Sequence, residues 1–84
     1  MMTPVFVEFL GTLFFVSSVA FGGNPLLIVA ALATVIALFG KISGGHFNPA
    51  VTLYQFVAGR ISQSKATMYI AAQLSAGLIV GLLG

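Results

Sequence analysis

The residues of this sequence that could do polar chemistry are few, and almost everything around them is apolar. Of 84 residues, 60% are hydrophobic and 5% are charged, with one acid against three bases. The single acid, Glu8, lies inside an apolar run. An ionisable group in such a place is costly and by default marks function: either a stop on an ion pathway, or an acceptor that holds an irregular backbone in position. The second polar cluster is the run Ser43-Gly44-Gly45-His46-Phe47-Asn48-Pro49-Ala50-Val51-Thr52. Gly44 and Gly45 lack Cβ atoms, so the backbone there can run extended and expose its carbonyl oxygens. Asn48-Pro49 has the form of a helix start, because Asn caps with its side-chain oxygen and Pro at the first helical position forfeits only an N–H that has no partner there. An Asn that caps in this way keeps its amide NH2 free to donate. Gln73 is the remaining candidate, either a polar brace for that run or glue between apolar helices.

Several chemistries are excluded by the same inventory. His46 is the lone histidine and cysteine is absent, so no metal ligand set, thiolate site or disulfide can form within the chain. Neither a cofactor nor an enzymatic role is expected. His46 could shuttle protons or sense pH, but a single His beside glycines is more simply a packed, hydrogen-bonded residue. Three basic residues are too sparse to hold nucleic acid.

The elements that must position these residues are apolar helices in lipid. A first stretch over about 3–21 has about 19 residues, or roughly 28 Å of helix, which matches the hydrocarbon core. Gly22-Gly23-Asn24-Pro25 is a turn signal, and a second apolar stretch covers about 25–40. A third covers about 66–84, with Gly77 and Gly81 at the spacing that lets helices approach closely. Between them, a re-entrant loop and helix over about 43–58 has only about ten helical residues from Pro49, or ~15 Å, half the membrane thickness. Carbonyls left unpaired at that depth are tolerable only where they line a wet cavity or are buried in protein. The half-helix would aim the positive end of its dipole at the membrane interior and so repel cations. All the basic residues fall within 41–65, which by the positive-inside rule places the N-terminus and that segment in the cytoplasm. A signal peptide is disfavoured, since no Lys or Arg precedes the first apolar run and Glu8 interrupts it. The fold expected is an all-α membrane protein of three transmembrane helices plus a re-entrant half-helix, in one unit over 1–84.

The run from Ser43 to Thr52, with Asn48-Pro49-Ala50 intact, resembles the first signature loop of the aquaporin and glycerol-facilitator family. Its place between the second and third spans, Glu8 in the first span and Ala72-Gln73 in the third are similar too. The resemblance covers essentially the whole chain and implies one aquaporin-like repeat of the family's two inverted repeats. It implies Asn48 as a pore donor and the carbonyls of Gly44, Gly45 and His46 as acceptors. Pro49 and Ala50 would meet the matching half-helix, and Glu8 and Gln73 would brace the loop. Ile28 falls where the family places a residue of its outer constriction; an aliphatic residue there leaves glycerol in play, while a packing or lipid-facing Ile is the other reading.

The function expected is a passive membrane channel for water and/or small neutral solutes such as glycerol, this chain supplying half of the pore. Its partners would be the lipid bilayer and a second half-repeat, in a parent chain or another subunit. The complete channels would group as homotetramers in the cell membrane. An ion-coupled transporter fragment and a non-conducting accessory or structural subunit are the alternatives. Two copies inserted in opposite senses are disfavoured, since one copy would carry its basic segment on the wrong side.

Overall fold

A polar side chain opens every helix. In the computed structural model, which describes residues 2–84, Thr3 Oγ1 accepts the N–H of Phe6 at the start of α1 (Pro4–Ser17). Asn24 Oδ1 accepts from Leu26 and Leu27 at the start of α2 (Pro25–Ser43). Asn48 Oδ1 accepts from Ala50 at 2.8 Å to open α3 (Pro49–Val57), and Ser62 Oγ accepts from Lys65 to open α4 (Gln63–Leu83). The first three caps are each followed by a proline. That pairing matters in lipid, where no water stands in for a missing partner at a helix end.

Three helices are long and apolar enough to cross a membrane. α1 continues through a wider π-helical turn, Ser18–Gly22, so that Pro4–Gly22 makes 19 residues; α2 has 19 and α4 has 21. Each therefore reaches about 28–32 Å. α3, with nine residues, reaches only about 14 Å. No strand is present among the described residues, and the all-α membrane architecture with one half-length helix stands as expected.

Two boundaries lie further out than hydropathy suggests. α2 does not stop at Gly40; the Gly40 carbonyl instead takes the N–H of Gly44 at 2.8 Å, and Gly44, at φ +95°, turns the chain out of the helix. α4 begins at Gln63 rather than at the first apolar residues near Ala66, because Ser62 caps it there. Hydropathy decides neither end. Backbone geometry and a capping oxygen do.

α1 is the centre of the packing: it lies most extensively against α4, then against α2, while α3 lies on α4. The apolar core is small, Val7, Val35 and Phe47 with Leu32 and Phe39 against it. Glu8, Thr12, Ser43, His46, Thr52 and Gln73 are buried beside it. Meanwhile Leu26 and Leu82 are 78% and 79% exposed. This polar interior in an apolar exterior would be costly in water and is the favourable arrangement in hydrocarbon.

Candidate functional site

The site grows from the end of α2. Beyond Ser43 the backbone passes through left-handed conformations at Gly44 (φ +95°), Gly45 (φ +68°) and Phe47 (φ +52°) before Asn48 opens α3. Glycine takes such angles without penalty, whereas Phe47 does so only because its surroundings hold it there. They do hold it. Phe47 is buried, its N–H donates to Glu8 Oε1 at 2.7 Å, and its ring lies against Gly11 of α1 so closely that a Cβ at Gly11 would overlap it.

Glu8, fully buried in α1, collects the polar groups of the loop. Oε2 accepts from Ser43 Oγ at 2.6 Å and from the His46 N–H at 3.1 Å, while Oε1 accepts from the Phe47 N–H and from Gln73 Nε2 at 2.9 Å. Ser43 Oγ in turn accepts the Gly45 N–H at 3.2 Å. The N–H groups of Gly45, His46 and Phe47 therefore all point inward. Among the described residues the carbonyls of Gly44, Gly45 and His46 accept no hydrogen bond, and the Asn48 amide nitrogen donates none. The loop thus has a bonded inner edge and an unbonded outer edge of acceptors, with one amide donor at its end.

Of the residues singled out from sequence, Glu8, His46 and Gln73 are brought together and buried. Gly44, Asn48 and Ala50 are exposed on the flank, and Gly45 and Pro49 are half-buried. Ile28 is half-buried near the opposite end of α2, about 22 Å along the helix from Ser43. It belongs to a different level of the structure from the loop.

Two residues outside the marked run, Gly11 and Tyr69, join the site, and two within it, Ser43 and Thr52, take roles that the sequence alone does not give them. Thr52, fully buried on α3, receives Gln73 Nε2 at 2.8 Å and lies 2.8 Å from His46 Nδ1. Tyr69, fully buried on α4, donates its hydroxyl to the Ser43 carbonyl at 2.6 Å, sets its ring against His46 with centroids 5.1 Å apart, and carries the Lys65 ammonium over it. Gly11 makes room for Phe47, and Ser43 links Glu8 to Gly45. Helical spacing offers the signal: Gly11 stands three residues from Glu8 and Tyr69 four from Gln73, so each shares a face with a residue already marked.

Tyr69 offers a clean test of how the last carbonyl of α2 is held. Tyr69→Phe keeps the ring contacts and removes one hydroxyl, leaving the Ser43 carbonyl without its donor. The expected loss is about 1–2 kcal/mol of stability, read as a lower Tm of the detergent-solubilised protein. An unchanged Tm would mean that the hydroxyl contributes nothing.

The family described as major intrinsic protein matches residues 1–83 of the chain. Aquaporin-4 of Mus musculus is 42% identical over 92% of the chain and 28% of its own length. Aquaporin TIP1-2 of Zea mays is 44% identical over 90% of the chain and 37% of its own length. The lens fiber major intrinsic protein of Lithobates pipiens is 39% identical over 83% of the chain and 31% of its own length. No solved structure matches. The chain spans about a third of the length of these relatives. Capped half-helix, glycine loop and buried carboxylate coincide with a match over nearly every residue, and the chain belongs to the major intrinsic protein, or aquaporin, family.

Proposed function

We propose that this chain forms one wall of a passive channel for water and/or small neutral solutes such as glycerol. The observation that carries the reading is the two-edged loop: N–H groups of residues 45–47 turned inward to Ser43 and Glu8, carbonyls of Gly44, Gly45 and His46 left unbonded. Those carbonyls replace the hydrogen bonds a permeant gives up on leaving bulk water, and the Asn48 amide donates to its oxygen. The N-terminus of α3 adds a positive partial charge at the same place, which disfavours cations. Glu8 and Gln73 brace the loop. Ile28 contributes an apolar side chain to an outer constriction.

The 84 residues make one repeat. Pro49 and Ala50 meet a matching half-helix from a second repeat, in a parent chain or another subunit, and complete channels group as homotetramers. The assembly lies in the cell membrane with the N-terminus and residues 41–65 cytoplasmic, a reading supported by Lys41, Arg60 and Lys65 all falling in that segment. An ion-coupled carrier is a weaker reading, because each oxygen of Glu8 already accepts two hydrogen bonds from the chain itself.

Reconstitution of the complete channel in vesicles tests the function. Osmotic shrinkage is expected to be faster than in empty vesicles, with no rise in ion conductance. Ion conductance without water or glycerol flux would overturn the channel reading, and absence of both would leave a non-conducting subunit in its place.

A further inference from the structure

The hydrogen bonds around Glu8 leave no freedom in which way the neighbouring groups point. A carboxylate only accepts, so Gln73 must turn its NH2, not its oxygen, toward Glu8. The second hydrogen of that NH2 then goes to Thr52 Oγ1 at 2.8 Å, which makes the Thr52 hydroxyl an acceptor on that side. Its own proton needs a destination. Thr34 and Thr67 send theirs to the carbonyl four residues earlier, Ala30 and Gln63, as helical threonines commonly do. Thr52 makes no such bond among the described residues, and its hydroxyl oxygen lies 2.8 Å from His46 Nδ1. Were Nδ1 protonated, Thr52 Oγ1 would receive two donors and its own hydrogen would be stranded in a fully buried position.

We infer that Thr52 is a positioning residue that fixes His46 as the neutral tautomer with its proton on Nε2. The order of control runs from Glu8 through Gln73 and Thr52 to the imidazole, each group's orientation forced by the one before. The Tyr69 ring packs edge-on against the imidazole, and its hydroxyl bonds to the Ser43 carbonyl and not to Nδ1. Nε2 lies over Gly44, where a Cβ would come within 3.2 Å of it. The single N–H left to the ring is therefore held beside Gly44, the residue that carries the first of the unbonded carbonyls. A donor beside a row of acceptors gives a permeating hydroxyl or water a place for its oxygen as well as for its hydrogens. This use of the N–H rests on the channel reading; the tautomer does not.

Nitrogen NMR of the complete channel in bilayers, with ring-labelled histidine at neutral pH, tests the assignment, the His46 signals being identified by their loss in His46→Gln. The expected spectrum has a protonated Nε2 and an unprotonated Nδ1. Thr52→Ser keeps the hydroxyl and should keep that spectrum, while Thr52→Val removes the donor to Nδ1 and should move the Nδ1 signal to that of an unprotonated nitrogen with no hydrogen bond. A wild-type spectrum dominated by Nδ1–H or by imidazolium, or a Thr52→Val spectrum identical to wild type, overturns the inference. The spectrum is read without any flux, so the two proposals fail separately. A conducting channel with the other tautomer rejects only this one, and the stated tautomer in a protein that passes no water rejects only the function.

Discussion

Glu8→Gln is expected to lower stability by about 3–5 kcal/mol and to abolish most water flux, although the change is nearly isosteric. The carboxylate accepts four hydrogen bonds, two on each oxygen. An amide offers one accepting oxygen and an NH2 that must face two donors. The Ser43 hydroxyl can rotate away, but the N–H groups of His46 and Phe47 are fixed by the backbone, and Gln73 is tied to Thr52. At least one backbone N–H is left buried and opposed to another donor. Losing a hydrogen bond to a charged acceptor costs roughly 1.5–3 kcal/mol, and stranding a buried donor costs roughly 1–3 more. In the channel proposed above, flux falls because the outer carbonyls are aimed only as well as the inner N–H groups are anchored. Thermal unfolding in detergent and osmotic shrinkage of vesicles give the two readouts. A Glu8→Gln channel with unchanged Tm and full flux would show that the loop holds its shape without the carboxylate.

Gly11→Ala is expected to be nearly as damaging, for a steric reason. The added Cβ overlaps the Phe47 ring, and Phe47, 1% exposed, has no room to retreat. Its backbone cannot follow either, since its N–H is held by Glu8. Overpacking of this kind typically costs about 1–3 kcal/mol, and here the displaced residue directly precedes Asn48. A second substitution separates this account from a general intolerance of α1. Phe47→Leu shortens the opposing side chain, so Gly11→Ala/Phe47→Leu should be more stable than Gly11→Ala alone, with a coupling of about 1–2 kcal/mol in the double-mutant cycle. Simple additivity of the two losses would falsify the contact as the cause.

Much of this fold is legible in the sequence because lipid simplifies the problem. Apolar runs of membrane length report helices directly, and the Asn48-Pro49 pair marks where α3 starts because a cap is a local signal. Glu8 stands out by charge alone. The end of α2 is harder, since Gly40 and Gly44 are equal candidates by type and only the φ of +95° at Gly44 distinguishes them. Thr52 stands in the marked run without a role that its type assigns, and Gly11 reads as one small residue among many. Their parts depend on what α1, α3 and α4 bring opposite them, which no local pattern encodes. Phe47 is the extreme case: nothing about a phenylalanine announces a left-handed backbone, and its angle follows from two contacts made by residues far from it in sequence.

The bond between Gln73 and Glu8 joins residues 65 positions apart, so its two partners emerge at different times as the chain is made. When α1 enters the bilayer, its carboxylate has no donor within reach. The Ser43, His46 and Phe47 donors arrive only after α2 has crossed, and the amide of Gln73 only when α4 is well advanced. The half-helix also draws bonds from α4, because Thr52 finds its Gln73 donor there and Tyr69 holds the carbonyl from which the loop departs. The half-length segment thus lies in the middle of the chain but completes its hydrogen bonds only once residues 69 and 73 are present.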